Sequence, residues 1–321
     1  MPVEIHGIGK RTILTDMETN MSKAVRFSLT NKEDTLIGLK WLTKESKYNV
    51  IIMEGMEEHC SRYDGLAQFL NNNDVDVYAL DTFGQGLNVH ENLDNIGIWP
   101  ENGFVRQIEA VSALIDDLKK TNKPTYIFSH SMGSFMGQRF LQLYPGKVEK
   151  IILCGSGSKN PVLGIGYALA KLTTSKKNKD DKSKLMAKMM FGSFNKKIKN
   201  PRTPFDWLSF NEENVDKYIA DPLCGFGPRK GFCLEFIKGM LPIHKDKSLK
   251  LLNPDTKIFI ISGKDDPVTN YSKSVGILEK MYHKYGVKDV STKIYDGMRH
   301  EILNEDDKEK VYKDILDFFN K

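Results

Sequence analysis

A serine, an aspartate and a histidine stand in this chain, in that order, where nucleophilic catalysis would use them. The serine is Ser131, in Ser129-His130-Ser131-Met132-Gly133, between an apolar run and a stretch with helical spacing. A nucleophile on a sharp strand-to-helix turn needs small residues two places before and two places after it, because backbones meet there. Gly133 meets that demand fully; Ser129 is small, although glycine is usual. A hydroxyl nucleophile needs a base. Of the histidines His6, His59, His90, His130, His244, His283 and His300, only His300 falls in a loop directly after the last apolar run. His130 abuts the serine, but neighbours on a tight turn point apart, and His59 stands as an alternative. The base needs an orienting carboxylate, and Ser262-Gly263-Lys264-Asp265-Asp266-Pro267-Val268 offers two. Proline holds the residue before it extended, which favours Asp266 over Asp265. The expected chemistry is attack of Ser131 on a carbonyl, with His300 as base and Asp266 fixing its tautomer. Backbone N–H groups of Met132 and of Met56, in Glu54-Gly55-Met56-Glu57-Glu58-His59, would hold the oxyanion. One such donor is worth roughly 3–4 kcal/mol of barrier.

These groups need elements to position them. Short runs rich in Val, Ile, Tyr and Phe cover residues 24–29, 36–42, 49–53, 75–80, 125–129, 150–154, 257–262 and 291–295. The first two flank Asn31-Lys32-Glu33-Asp34 and predict a hairpin; the other six are mostly continuous and not alternating, as strands covered on both faces should be. Amphipathic stretches at 104–120, 132–144, 271–285 and 301–319 predict helices between and after them. Strand–helix alternation implies a mostly parallel sheet with helices on both faces. A dinucleotide-binding fold shares that pattern. However, Gly155-Ser156-Gly157 follows a late strand and leads into Lys159-Asn160-Pro161, not the Gly-x-Gly-x-x-Gly turn a nicotinamide enzyme carries.

The alternation lapses over residues 158–245, which reads as an insertion on the core. Within 171–200 stand ten lysines against two aspartates, a balance of +8, where the whole chain has 47 − 42 = +5. The lysines interleave with Leu185, Met186, Met189, Met190, Phe191 and Phe194, a pattern suited to an acyl-chain surface or an interfacial helix. A net charge of +5 is too small to point to a nucleic acid. No apolar run reaches the roughly 18 residues of a spanning helix, and the start of the chain has no basic-then-apolar secretory pattern. Four scattered cysteines without a Cys-x-x-Cys pair argue against a disulfide scaffold, a zinc ribbon and a redox motif, so a cytoplasmic setting is expected, with peripheral membrane contact through the basic stretch.

Four segments together resemble the monoacylglycerol lipase and lysophospholipase branch of the α/β-hydrolases, which overlaps the serine aminopeptidase group. Glu54–His59 followed by Arg62-Tyr63 is similar to that family's oxyanion loop, His-Gly-x-x-Glu-His. Asp81-Thr82-Phe83-Gly84-Gln85-Gly86 is similar to its Asp-x-x-Gly-His-Gly turn. Ser129–Gly133 is similar to its Gly-His-Ser-Met-Gly elbow, and 262–268 with Arg299-His300-Glu301 to its acid and base loops. Three positions depart from the pattern: Glu54 and Gln85 replace histidines, and Ser129 replaces glycine.

The resemblance implies an α/β-hydrolase fold with a core of residues 1–157 and 246–321 and a mobile helical cap of residues 158–245. It also implies Ser131, Asp266 and His300 as triad, Met56 and Met132 as oxyanion donors, and neither cofactor nor metal. The expected substrate is a monoacylglycerol or lysophospholipid, with anionic lipid surfaces as partner and no nucleic acid. An aminopeptidase of the same fold is the alternative, needing a cap carboxylate such as Asp206, Glu212, Glu213, Asp216 or Asp221 for the substrate ammonium. A catalytically inactive binding protein of this fold is another.

Overall fold

The computed structural model describes residues 24–321. Residues 1–23 lie outside the described residues, and with them His6, the segment read for a secretory signal and the start of the expected core.

The strands are β1 (Ala24–Asn31), β2 (Asp34–Trp41), β3 (Tyr48–Met53), β4 (Val75–Leu80), β5 (Thr125–His130), β6 (Lys150–Cys154), β7 (Lys257–Gly263) and β8 (Val290–Tyr295). They form one eight-stranded sheet in the order β1-β2-β4-β3-β5-β6-β7-β8. The β1–β2 hairpin and the β2–β4 pair are antiparallel, and every other pairing is parallel. This is the mostly parallel sheet expected from the alternation, and the α/β-hydrolase architecture that the resemblance implies.

The helices are α1 (Asp64–Asn71), α2 (Gly103–Leu118), α3 (Met132–Leu143), α4 (Leu163–Thr173), α5 (Lys184–Phe191), α6 (Glu212–Ala220), α7 (Lys230–Met240), α8 (Asp246–Leu249), α9 (Lys273–Lys284) and α10 (Lys308–Asn320). Alternate strand residues feed two apolar layers, as the two-residue repeat of a strand requires. Ile51, Ile127, Ile151 and Ile260 pack with Ile108 of α2, Phe140 of α3 and Leu278 of α9. Ile52, Phe128, Ile152 and Ile261 pack on the other face with Leu70 of α1 and Ile315 of α10. All residues of β3, β4 and β6 are buried, which explains why their sequences run apolar without alternation.

Two helices start later than their periodicity predicts. Asn270, Tyr271 and Ser272 all have positive φ, so α9 begins at Lys273 and not at 271. The stretch 301–307 is held as a loop because Glu305 spends its carboxylate on Arg299 N–H, Phe210 N–H and Ser209 Oγ. Helix α10 therefore begins at Lys308. Helix α1 was absent from the sequence expectation.

Between β6 and β7 the chain runs through α4 to α8, with only an isolated bridge, Lys182 to Arg229, outside helices and turns. Helix α7 packs into the main core: Phe232 and Phe236 join the first apolar layer, and Gly239 sits so tightly on Phe104 that an added Cβ would lie 2.2 Å from its ring.

The register sets where loops emerge. Met53 pairs with Ser129, His130 with Cys154, Cys154 with Ile261 and Gly263 with Tyr295. The carboxyl ends of β3, β5, β6, β7 and β8 thus lie along one sheet edge, where ligands of open α/β sheets bind.

Candidate active site

Ser131 is the single residue between β5 and α3, at φ 51° and ψ −117°. A left-handed serine is strained, and it is held by its N–H donating to the Cys154 carbonyl at 3.0 Å and by its carbonyl accepting from Ser134 N–H at 2.9 Å. The demand for a small residue after it is literal: a Cβ at Gly133 would sit 2.2 Å from the Met53 carbonyl oxygen. Ser129 fits because its hydroxyl donates to the Ile152 carbonyl at 2.6 Å and faces Gly137 of α3, where an added Cβ would be 2.8 Å from Ser129 Oγ. The glycine that the elbow lacks at 129 is supplied across the contact at 137.

His300 and Asp266 are both buried, and Nδ1 lies 2.9 Å from Oδ2. The other Asp266 oxygen accepts from Val268 N–H at 2.8 Å. Asp265, by contrast, is exposed. Gly155, at φ +61°, leaves room for the pair, since a Cβ there would come 2.9 Å from His300 Cε1. Burial pulls the His300 pKa down, but Asp266, then Glu301 and Glu58, outweigh it and leave the imidazole above its ordinary value. The His130 ring lies against it, tilted by 40°, with centroids 4.6 Å apart. Burial, and then the neighbouring His300, push His130 well below its ordinary pKa, so it stays neutral. His59 is taken elsewhere: Nε2 meets Asp221 at 2.8 Å and Nδ1 meets Ser61 Oγ at 2.5 Å.

Ser131, His300, His130 and Met56 line one narrow cleft with about 40 Å³ of free interior. Ser131 and His300 face this common space without a hydrogen bond between them among the described residues; such bonds are often long until substrate binds. In the loop after β3, Gly55 N–H donates to Glu58 Oε1 at 2.6 Å and Glu57 N–H to Gln85 Oε1 at 2.8 Å. Met56 N–H, between them, has no acceptor among the described residues, and neither has Met132 N–H at the first turn of α3.

A family model described as serine aminopeptidase, S33, matches residues 44–307. The chain belongs to the serine aminopeptidase S33 family. A monoacylglycerol lipase of Mycolicibacterium smegmatis is 23% identical over 266 residues, 83% of this chain and 85% of that protein. A monoglyceride lipase of Rattus norvegicus is 23% identical over 258 residues, 80% of this chain and 76% of that one. Among solved structures, a thermostable carboxyl esterase from Bacillus coagulans superposes with a TM-score of 0.85 at 24% identity, covering 93% of this chain and 97% of that one. A monoglyceride lipase from Saccharomyces cerevisiae gives 0.73 at 15% identity, covering 93% and 96%. The S33 match agrees with the resemblance carried by the four motifs.

In this S33 chain the cleft is roofed by Trp207, which the sequence did not single out, backed by Phe191 and Phe194 of the lysine-rich stretch. Trp207 lies over His300 with centroids 5.2 Å apart, and Phe194 and Phe191 pack on its indole. Nothing in the local spacing around Trp207 distinguishes it from an ordinary core residue. Arg62 grips Glu301 through two 2.7 Å contacts and Glu58 through one of 2.8 Å. Burial works against the Glu301 charge, yet Arg62 and then Asn214 hold that carboxyl below its ordinary range. Glu301 was legible only as a neighbour of His300. One cluster among the described residues, His59, Asp221 and Cys224, brings metal-type ligand atoms within 4.8 Å, but both His59 nitrogens are already paired there. No helix among the described residues is long and apolar enough to cross a membrane.

Proposed function

We propose that this protein is a serine carboxylic ester hydrolase acting on a single-chain acyl ester of glycerol or of a lysophospholipid. The observation that carries the reading is His300, backed by the buried Asp266, sharing a cleft with Ser131 on its strained turn. His300 Nε2 takes the Ser131 proton as Oγ attacks the ester carbonyl, and the carbonyl oxygen becomes an anion held by Met56 N–H and Met132 N–H. The imidazolium then gives its proton to the leaving alcohol. Water, deprotonated by the same imidazole, cleaves the acyl-enzyme, while Asp266 stabilises the positive ring throughout.

The glycerol-ester substrate class rests on relatives named as monoacylglycerol lipases. A cleft of about 40 Å³ holds no more than a few waters, so the Trp207–Phe191–Phe194 roof must move for an acyl chain to enter. That assigns the Trp207, Phe191 and Phe194 part of residues 158–245 the role of a mobile cap, with α7 anchoring the insertion on the core. The insertion exposes Ile165, Leu172, Leu185 and Met189 and carries the lysines of 171–200, a composition that suits docking on an anionic lipid surface.

The aminopeptidase alternative is less well supported. Asp216 and Glu213 pair with Arg202 and Lys217 at 2.7 Å each, Asp206 accepts from Arg202 and Thr203 N–H, and Asp221 holds His59. None of the five cap carboxylates lines the Ser131 cleft. Turnover of nitrophenyl acyl esters against aminoacyl anilides tests the choice: esters should be cleaved and anilides not, and the opposite ranking would assign a peptidase.

A further inference from the structure

The two histidine replacements that set this chain apart from its family pattern meet each other. Gln85 Nε2 donates to Glu54 Oε1 at 2.9 Å, and the same Glu54 oxygen accepts from Thr82 N–H at 2.8 Å and Thr82 Oγ1 at 2.5 Å. Glu54 does not line the Ser131 cleft, so it brings no charge to the reacting oxygen. Burial first, and then the adjoining Asp81, raise its pKa well above the ordinary carboxyl range, which keeps it a neutral acceptor. Gln85 is also fully buried, and Gly86 before the next turn packs so close to Asp81 that a Cβ would lie 2.3 Å from the carboxyl group. The turn therefore has little freedom to carry the amide elsewhere.

One amide spans the whole oxyanion loop. Besides Glu54, Gln85 Nε2 approaches the Gly55 carbonyl at 3.1 Å and the Glu58 carbonyl at 3.2 Å, while Oε1 accepts from Glu57 N–H. The N–H groups on either side of Met56 are thus committed, Gly55 to Glu58 and Glu57 to Gln85, and the Met56 N–H between them has no acceptor among the described residues. An amide serves here because, like a neutral imidazole, it offers one donor side and one acceptor side in a single planar group. With Gln at 85 presenting a donor, residue 54 must accept, and an uncharged carboxyl oxygen does so.

We propose that Gln85, anchored by Glu54, is the positioning residue for the Met56 oxyanion donor, a role that rests on the serine-hydrolase reading above. Gln85→Met keeps the length and removes every hydrogen bond. It should lower kcat about 100-fold, the usual scale for a displaced oxyanion donor. It should weaken a trifluoromethyl ketone of matching chain length by a similar factor, because that inhibitor becomes an oxyanion on Ser131. KM and the affinity of the corresponding alkyl ether, which forms no oxyanion, should stay within threefold. Loss of ether and ketone binding in parallel, or a folded Gln85→Met protein with unchanged kcat, overturns the proposal.

A measurement on the unaltered protein covers the case of a variant that does not fold. Amide exchange followed by NMR should find Gly55 and Glu57 N–H protected and Met56 N–H fast, with Met56 becoming protected when the ketone adduct forms. Glu57 exchanging as fast as Met56 would contradict the clamp. A native protein that forms no ketone adduct at all would contradict the serine-hydrolase reading itself.

Discussion

His300 can act as a base only when neutral, and the charges around it hold its pKa above 6.5. Ester hydrolysis should therefore rise with pH through an apparent pKa above that value and then level, as kcat/KM profiles across the neutral range would reveal. Asp266 is the largest of the groups that raise it, so Asp266→Asn should cost roughly 10³–10⁴-fold in kcat. Asp265→Asn, at an exposed position, should stay within about twofold; the reverse ranking would reassign the acid. Proline after Asp266 had pointed the same way from the sequence, since it restricts the backbone just where the carboxylate must be rigid. Glu54 gives a stability prediction with a defined sign. It is neutral when folded but ionised in the unfolded chain above its ordinary value of 4.5, so the unfolded state binds fewer protons and stability falls as pH rises. Glu54→Gln removes that dependence. Its stability, read from denaturation midpoints, should gain on the native protein's progressively as pH rises above that ordinary value. A constant difference would mean Glu54 is ionised in the fold.

At the scale of elements, the elbow is a contact between β5 and α3 in which small residues are shared out. Gly137→Ala should lose about 1–3 kcal/mol, because the new methyl meets Ser129 Oγ and Ile151 Cδ1, 2.8 and 3.2 Å from its position. In a Ser129→Gly background part of that loss should return, and additive losses in a double-mutant cycle of denaturation midpoints would refute the shared contact. Elements of this kind were legible in advance. Mostly apolar runs such as Val75–Leu80 point to a doubly covered strand, and all eight strands lie within a few residues of the runs expected. Helix starts were less so, because they are decided by distant groups. No local spacing reveals that Glu305 will cap Phe210 and Arg299, or that Tyr271 will be left-handed. The site divides similarly: Ser131, Asp266 and His300 sit at strand ends that motifs mark, whereas Trp207 and the Gln85 clamp arise from contacts made across the fold.

Over the whole molecule, the parallel register gathers six strand ends to one edge and the helices between β6 and β7 close over it. If those helices also dock on lipid, the lysines of 171–200 should matter for vesicles and not for soluble esters. Replacing Lys176, Lys177, Lys184 and Lys188 by glutamine should weaken co-sedimentation with anionic vesicles and hydrolysis of lipid held in them, with attraction of roughly 1 kcal/mol lost for each lysine at the surface. Turnover of a short soluble ester should be unchanged, and neutral vesicles should show little difference. An equal loss on both substrates would mean the substitutions disturb the cleft and not a membrane contact. The most direct test of the central claim is the site of covalent labelling. Incubated with a fluorophosphonate and digested for peptide mass analysis, the native protein should carry one adduct, on Ser131, with esterase activity lost in step and no labelling of Ser131→Ala. Labelling at another serine, such as Ser134, or esterase activity that survives Ser131→Ala, would contradict it.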